Sequence, residues 1–261
     1  MNPRSLVFDI GNTHTVVGVY IDGSLAHSWR LATERSRTED EHYCLLNSLL
    51  ANAGLAPRGF DFCALASVVP DLTRSFAHMM HKYIGCQLVV VNAYTELGLS
   101  FPMPDPGFIG ADLIVNAYAA WQRYRRSCIV CDFGTATTIQ LVGADGYFFG
   151  TVIAPGVLTS SARLFEKAAL LANVELAAPT ALLGTNTKDA LLSGILTGST
   201  LMMDGFVQRI REEHAALGDI ITIGTGGIAP LVCHNSRCVD HVDKTLTLDG
   251  LYLICQRFAT I

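Results

Sequence analysis

The stretch that decides the fold is Leu6-Val7-Phe8-Asp9-Ile10-Gly11-Asn12-Thr13, an apolar run that stops at a carboxylate and a glycine turn. Leu6 to Phe8 reads as a short strand, Asp9 to Thr13 as the turn and Thr15 to Ile21 as a second strand. Asp22-Gly23 is a tight hairpin signal that sends the chain into a third strand, Leu25 to Leu31. The arrangement returns at Cys128 to Cys131, with Asp132-Phe133-Gly134-Thr135-Ala136 as the turn, Thr137 to Val142 as the next strand, and Asp145-Gly146 before Tyr147 to Ile153. Each Asp-Gly pair lies 13 positions after the aspartate that opens its turn. Two copies at one spacing predict a duplicated domain.

Between the copies, His42 to Ala53 and Asp71 to Ile84 read as helices, and Ala64 to Val69 and Leu88 to Val91 as buried strands. The proline-rich stretch from Gly98 to Gly110 reads as the link between halves, which sets expected domains at residues 1–110 and 111–261. Beyond it come predicted helices at Ile114 to Arg125, Val157 to Ala172, Lys188 to Leu217 and Thr247 to Ala259, with a strand at Ile220 to Gly224. Gly194, Gly198 and Gly205 recur along one face of the long helix, where each costs about 1 kcal/mol. A close backbone neighbour, either another helix or a second subunit, would explain them.

Half of the residues are hydrophobic and 16% are charged, a composition for large buried cores. A net charge of −5 argues against general attraction to nucleic acid or anionic membranes. No apolar run is expected to span a bilayer, and Asp9 interrupts the N-terminal apolar stretch, so a cytoplasmic location is expected. The eight cysteines sit in apolar stretches, as reduced core thiols do. Cys128 and Cys131 point to opposite faces of a strand and cannot share a metal. Cys233, His234, Cys238 and His241 carry suitable atoms for zinc but lack a second paired-ligand motif, and read first as loop and helix-edge residues.

A glycine turn lets successive backbone N–H groups converge on phosphate oxygens without a lysine. Gly11, Asn12 and Thr13 suit that use, as do Gly134, Thr135 and Thr137. Asp9 and Asp132 place carboxylates where a hydrated Mg²⁺ or a monovalent cation would find oxygen ligands. Gly224-Thr225-Gly226-Gly227 follows a strand and suits close approach of a flat nucleotide moiety.

These clusters resemble the acetate and sugar kinase, actin and heat-shock chaperone superfamily. The resemblance implies an α/β fold of duplicated actin/hexokinase (ribonuclease H-like) domains, mixed sheets flanked by helices, with ATP in the inter-domain cleft. The finer resemblance is to the type III pantothenate kinases, also called the Bvg accessory factor family. It rests on Asp9 to Thr13, Gly110-Ala111-Asp112, Asp132 to Thr138, Pro155-Gly156, Asn186-Thr187 and the glycines at 226 and 227.

By that resemblance Asp9, Ile10, Gly11, Asn12, Thr13, His14, Thr15 and Val16 hold the ATP phosphates, and Thr135 also contacts ATP. Asp132 binds K⁺ or NH₄⁺, and Asp9 holds Mg²⁺ through water. Asp112 is the general base. Gly110, Ala111, Asp112, Leu113 and Thr187 meet pantothenate, with Thr187 acting across a homodimer interface. Two departures concern the acceptor: Leu113 replaces an arginine and Met103 a tyrosine. The implied reaction is phosphorylation of pantothenate to 4′-phosphopantothenate in coenzyme A biosynthesis. A nucleotide-binding paralogue with a regulatory role, and a kinase for another small hydroxylated acceptor, remain alternatives. From local sequence alone, Asp112 reads better as a helix N-terminal aspartate, and only the family pattern raises it to a general base.

Overall fold

The structure is a computed structural model that describes residues 4–167 and 176–259. Strands β1 (Arg4–Ile10), β2 (His14–Ile21), β3 (Ser24–Ala32), β4 (Phe62–Ser67) and β5 (Gln87–Val90) form one sheet in the order β3-β2-β1-β4-β5. Strands β6 (Cys128–Phe133), β7 (Ala136–Val142), β8 (Phe148–Pro155), β9 (Ile221–Thr225) and β10 (His241–Val242) form a second, ordered β8-β7-β6-β9-β10. In each, the first three strands in chain order are antiparallel, the fourth adds in parallel beside the first, and the fifth adds in parallel beside the fourth. The duplication read from the turns is therefore a duplication of topology.

The equal spacing of 13 conceals differences in both connections. Ile10 pairs with Thr15 across a four-residue turn, whereas Phe133 pairs with Thr137 across three residues. Further on, Ile21 pairs with Ser24 around Asp22 and Gly23, whose φ values of 53° and 83° give the mirror-image turn that suits twisted hairpins. The second copy closes on Val142 and Phe148, a looser five-residue connection.

Among the described residues eight α-helices flank the sheets: α1 (Glu39–Asn52), α2 (Pro70–Met79), α3 (Ala111–Tyr124), α4 (Val157–Lys167), α5 (Thr187–Leu192), α6 (Gly198–Glu213), α7 (Ala229–Val232) and α8 (Leu246–Ala259). Helix α1 begins before the expected His42 because Thr38 and Glu41 form a reciprocal capping box. The end of the expected Val157 to Ala172 helix lies outside the described residues. The long helix reading is corrected in detail: α5 passes through a π-helical turn, Ser193–Thr197, into α6. Through that turn Thr187–Glu213 runs as one 27-residue helix with a window of mean hydropathy 1.4, which by length and composition alone could cross a bilayer, a test that core helices also pass. Leu196, Met203 and Val207 of that helix pack into the core of the second sheet.

The chain divides into two compact units. The first holds the chain up to Gly98, Met103–Ala119 and the stretch from Thr247; the second holds Leu99–Pro102 and Ala120–Leu246. The division thus differs from a boundary at residue 110, because α8 and most of α3 join the N-terminal sheet. In this first unit Leu6, Phe8 and Ile10 face α1 and α2, meeting Leu46, Leu50, Leu72, Phe76 and Met79. Helix α8 covers the opposite face. Gly18 leaves room there, since a Cβ would lie 2.9 Å from Val7 Cγ2 and 3.4 Å from the Leu248 methyls. Tyr20 stacks on Tyr252 at 4.3 Å and donates a short hydrogen bond to Asp249. Gly250 lets α8 cross α3 closely, where Thr247 Oγ1 reaches Asn116 Oδ1 at 2.7 Å.

All eight cysteines are free, and Cys128 and Cys131 lie in the core of the second unit. Burial pushes the Cys128 thiol up to about 12. Of the second cysteine and histidine cluster, Cys233 Sγ fills the space beside Gly224 and His241 stacks on Tyr124, so both have packing roles.

Two predictions test this packing. Gly250→Val would set a Cβ 2.8 Å from Val115 Cγ1 and 2.9 Å from Val115 O. The expected loss is about 1–3 kcal/mol in urea unfolding; an unchanged midpoint would show that the crossing is loose. His42 is buried against Phe76 with its Nε2 unpartnered among the described residues, and its pKa is lowered by burial first and then by Arg37, partly opposed by Glu41. Charging it therefore costs more in the folded chain, so stability is full above the ordinary histidine pKa of about 6.5 and declines as pH falls below it. His42→Phe is expected to flatten that decline in unfolding curves taken between neutral and mildly acidic pH.

Candidate active site

Both candidate turns begin where a central strand ends. Asp9 is paired with Val16 on one side and Ala66 on the other, so β1 is hydrogen-bonded along both edges until the chain turns away after Ile10. Gly11 N–H donates to His14 O at 3.0 Å and closes the turn. The end of β3 then holds it from outside: Thr33 Oγ1 donates to Gly11 O at 2.8 Å, Thr33 N–H donates to Thr13 O at 3.0 Å, and the Thr33 and Thr15 hydroxyls lie 3.0 Å apart. Asn12 and Thr13 project into solvent. The backbone is fixed while its outer rim stays open, as an anion nest requires.

Asp112 reaches the same end of this sheet. Val68 N–H donates to Ile10 O at 3.1 Å, and a Cβ on Gly110 would lie 3.5 Å from Val68 Cγ1. It would also lie 2.5 Å from Asp112 Oδ1, so glycine is needed for the carboxylate to fold back over the start of α3. Asp112 Oδ1 accepts the Leu113 amide at 2.9 Å. Burial nonetheless raises the Asp112 pKa above its ordinary value, outweighing the backbone amides that lower it. That is the direction suited to a general base working near neutral pH. The helix N-terminal role and a chemical role are both served by this geometry.

Leu113, where the resemblance expects arginine, is buried at 6% exposure. The loop before Gly110 carries a feature missed in the sequence: exposed Tyr94 donates a short hydrogen bond to Asp105, whose Oδ1 also accepts Gly107 N–H at 3.0 Å. No local signal links residues so placed; the loop's return brings them together.

In the second unit Asp132 pairs with Thr138 and Thr225, and Gly134 N–H donates to Ala136 O at 3.0 Å. Gly226, with φ of +95°, passes so close that a Cβ would lie 2.6 Å from Asp132 Oδ1 and 2.7 Å from Phe133 O. Only glycine fits where this carboxylate and carbonyl converge. An all-oxygen donor set of this kind fits a hard cation. Gly156 presses on the other side of the turn, its absent Cβ falling 2.1 Å from Thr135 O, which also accepts Thr159 Oγ1 at 3.0 Å. Thr137 Oγ1 is buried and has no partner among the described residues. Thr187 opens α5, exposed, behind an Asn186 cap that accepts Asp189 N–H at 3.0 Å.

Comparisons with known proteins bear on the fold and the family. Among solved structures, MreB 5 of Spiroplasma citri bound to AMPPNP aligns with a TM-score of 0.59 at 8% identity, covering 99% of this chain and 97% of that one. A ROK family glucokinase from Streptomyces griseus, in complex with glucose and AMPPNP, aligns at 0.55 and 10% identity, covering 98% of this chain and 100% of that one. At such identities the likeness concerns the fold, which is of the actin and hexokinase-like kind. The Type III pantothenate kinase of Halalkalibacterium halodurans is 41% identical over 252 residues, which is 97% of this chain and 98% of the relative. The profile of the type III pantothenate kinases matches residues 5–209, and with a relative so similar over nearly the full length, the chain belongs to the type III pantothenate kinase family.

Proposed function

We propose that the chain transfers the γ-phosphoryl group of ATP to the primary hydroxyl of pantothenate, giving 4′-phosphopantothenate, the first step of coenzyme A biosynthesis, in the cytoplasm. The observation that carries this reading is the family match across nearly all of the chain, with the Asp9 and Asp132 turns intact. In it, residues Asp9 to Val16 bind the phosphates, Thr135 contacts ATP, and Asp112 takes the proton from the attacking hydroxyl. Asp9 holds Mg²⁺ through water, and the Asp132 carboxylate with the Phe133 carbonyl holds K⁺ or NH₄⁺. These cations supply charge neutralisation for the phosphates when bound. The protein's own contribution is position: a fixed turn, a desolvated carboxylate beside it, and an acceptor segment at Gly110 to Leu113, completed by Thr187 of a second subunit.

The test is ADP release that requires pantothenate and rises with K⁺ or NH₄⁺. Asp112→Asn is expected to lower kcat by about 10²–10⁴-fold while ATP affinity and thermal stability hold, because the phosphates rest on the turn. A variant with parental kcat would reduce Asp112 to a helix-start residue. ADP release that ignores pantothenate would favour another acceptor.

The homodimer has a separate support. Apart from the helix's own backbone, no described atom comes within 4 Å of a Cβ placed at Gly194, Gly198 or Gly205, so no described neighbouring helix explains these glycines. Leu201 and Phe206 of the same helix are exposed at 61% and 37%. A second copy seated on this helix would use both features. Gly198→Leu is expected to yield monomers in sedimentation velocity, and a parent that is already monomeric at micromolar concentration would end the idea.

A further inference from the structure

The turn after β1 contains no lysine or arginine, yet a polyphosphate bound there would bring several negative charges. Two arginines from outside the turn reach it. Arg30, on β3, places Nη2 at 2.9 Å from His14 Nδ1, and Arg35, just beyond β3, places Nη2 at 2.8 Å from Asn12 Oδ1. Arginine can only donate, so each contact has one polarity. His14 Nδ1 must be the acceptor, which leaves the ring neutral with its proton on Nε2. Asn12 Oδ1 is likewise the accepting atom, which leaves the two amide protons of Nδ2 facing elsewhere. Burial and the Arg30 charge both lower the His14 pKa, in keeping with a neutral ring.

Each arginine thus occupies the acceptor atom of a side chain that could have turned either way, and what remains available on each is a donor. Asn12, Arg30 and Arg35 are exposed and His14 is partly so, which leaves these donors open to an incoming anion. The register of the hairpin makes the arrangement possible: His14 pairs with Ala32, and Thr33 binds the turn backbone, so Arg30 and Arg35 flank it on either side.

We propose that Arg30 and Arg35 are positioning residues for the nucleotide phosphates, setting His14 Nε2–H and Asn12 Nδ2–H₂ as donors and adding positive charge beside the turn. The proposal rests on the reading that Asp9 to Val16 holds the ATP phosphates, and it assigns the charge and donor polarity of that site to residues outside it.

The experiment is calorimetric titration of ATP into the parent, Arg30→Met, Arg35→Met, Asn12→Ala and Asn12→Asp, at low and at moderate salt, with the melting temperature of each ligand-free protein. Each arginine variant is expected to weaken ATP binding about tenfold at low salt, and less at moderate salt because exposed charges are screened. The ligand-free melting temperature should hold, since both side chains are exposed. Asn12→Asp should bind ATP more weakly than Asn12→Ala, because both lack the amide donor but the carboxylate also neutralises Arg35 and sets a like charge beside the phosphates. ATP affinities matching the parent in both arginine variants would overturn the proposal, as would losses that only follow a fall in melting temperature. A parent that fails to bind ATP would instead overturn the functional reading on which it rests.

Discussion

The constraint on which the rest depends is how a central strand, hydrogen-bonded on both edges and buried on both faces, comes to a stop. β1 and β6 are such strands, and the last residue but one of each is an aspartate whose backbone is still paired on two sides. Beyond that point the backbone amides have no sheet partners, and unpaired buried amides are costly. The sequence leaves them at the surface in a glycine turn, where they are available to oxygen ligands.

The two units brace that turn by different means. In the first, the end of the hairpin's third strand returns, and Thr33 holds the carbonyls of Gly11 and Thr13. In the second, the corresponding strand runs on into α4, and Gly156 with Thr159 supports Thr135 O. The brace in the first unit leaves arginines beside the turn; in the second, glycine at 226 brings backbone against a carboxylate. One topology, duplicated, thereby presents a cationic rim on one copy and an all-oxygen cradle on the other.

Asp112 depends on the same stopping point. Val68 hangs from Ile10 by a hydrogen bond, Gly110 packs over Val68, and the Asp112 carboxylate folds back over Gly110. A side chain at 110 would displace the carboxylate from its partly desolvated position, and with it the upward shift in its pKa. The placement of this group is thus a consequence of sheet geometry more than of the helix it begins.

By itself the sequence determined what short-range chemistry dictates. The Asp-x-Gly turns, the Asp22-Gly23 hairpin and the apolar strand runs each depend on residues within a few positions, and they made the duplicated sheet and the phosphate turns legible. Even Thr38 with Glu41, a signal passed over, is local. Asp112 was legible only through family resemblance, since a carboxylate in the first turn of a helix is ordinary. Tertiary structure decided the rest, because the deciding contacts lie far apart in the chain. Tyr20 and Asp249, separated by 229 positions, join α8 to the N-terminal sheet, and no composition at residue 247 announces that. Arg30 and Arg35 meet the turn across 16 and 23 positions, through a strand register that exists only once the hairpin has formed. Local patterns choose elements, whereas the partner of a buried face or of a charged side chain is chosen by the packing that brings distant segments together.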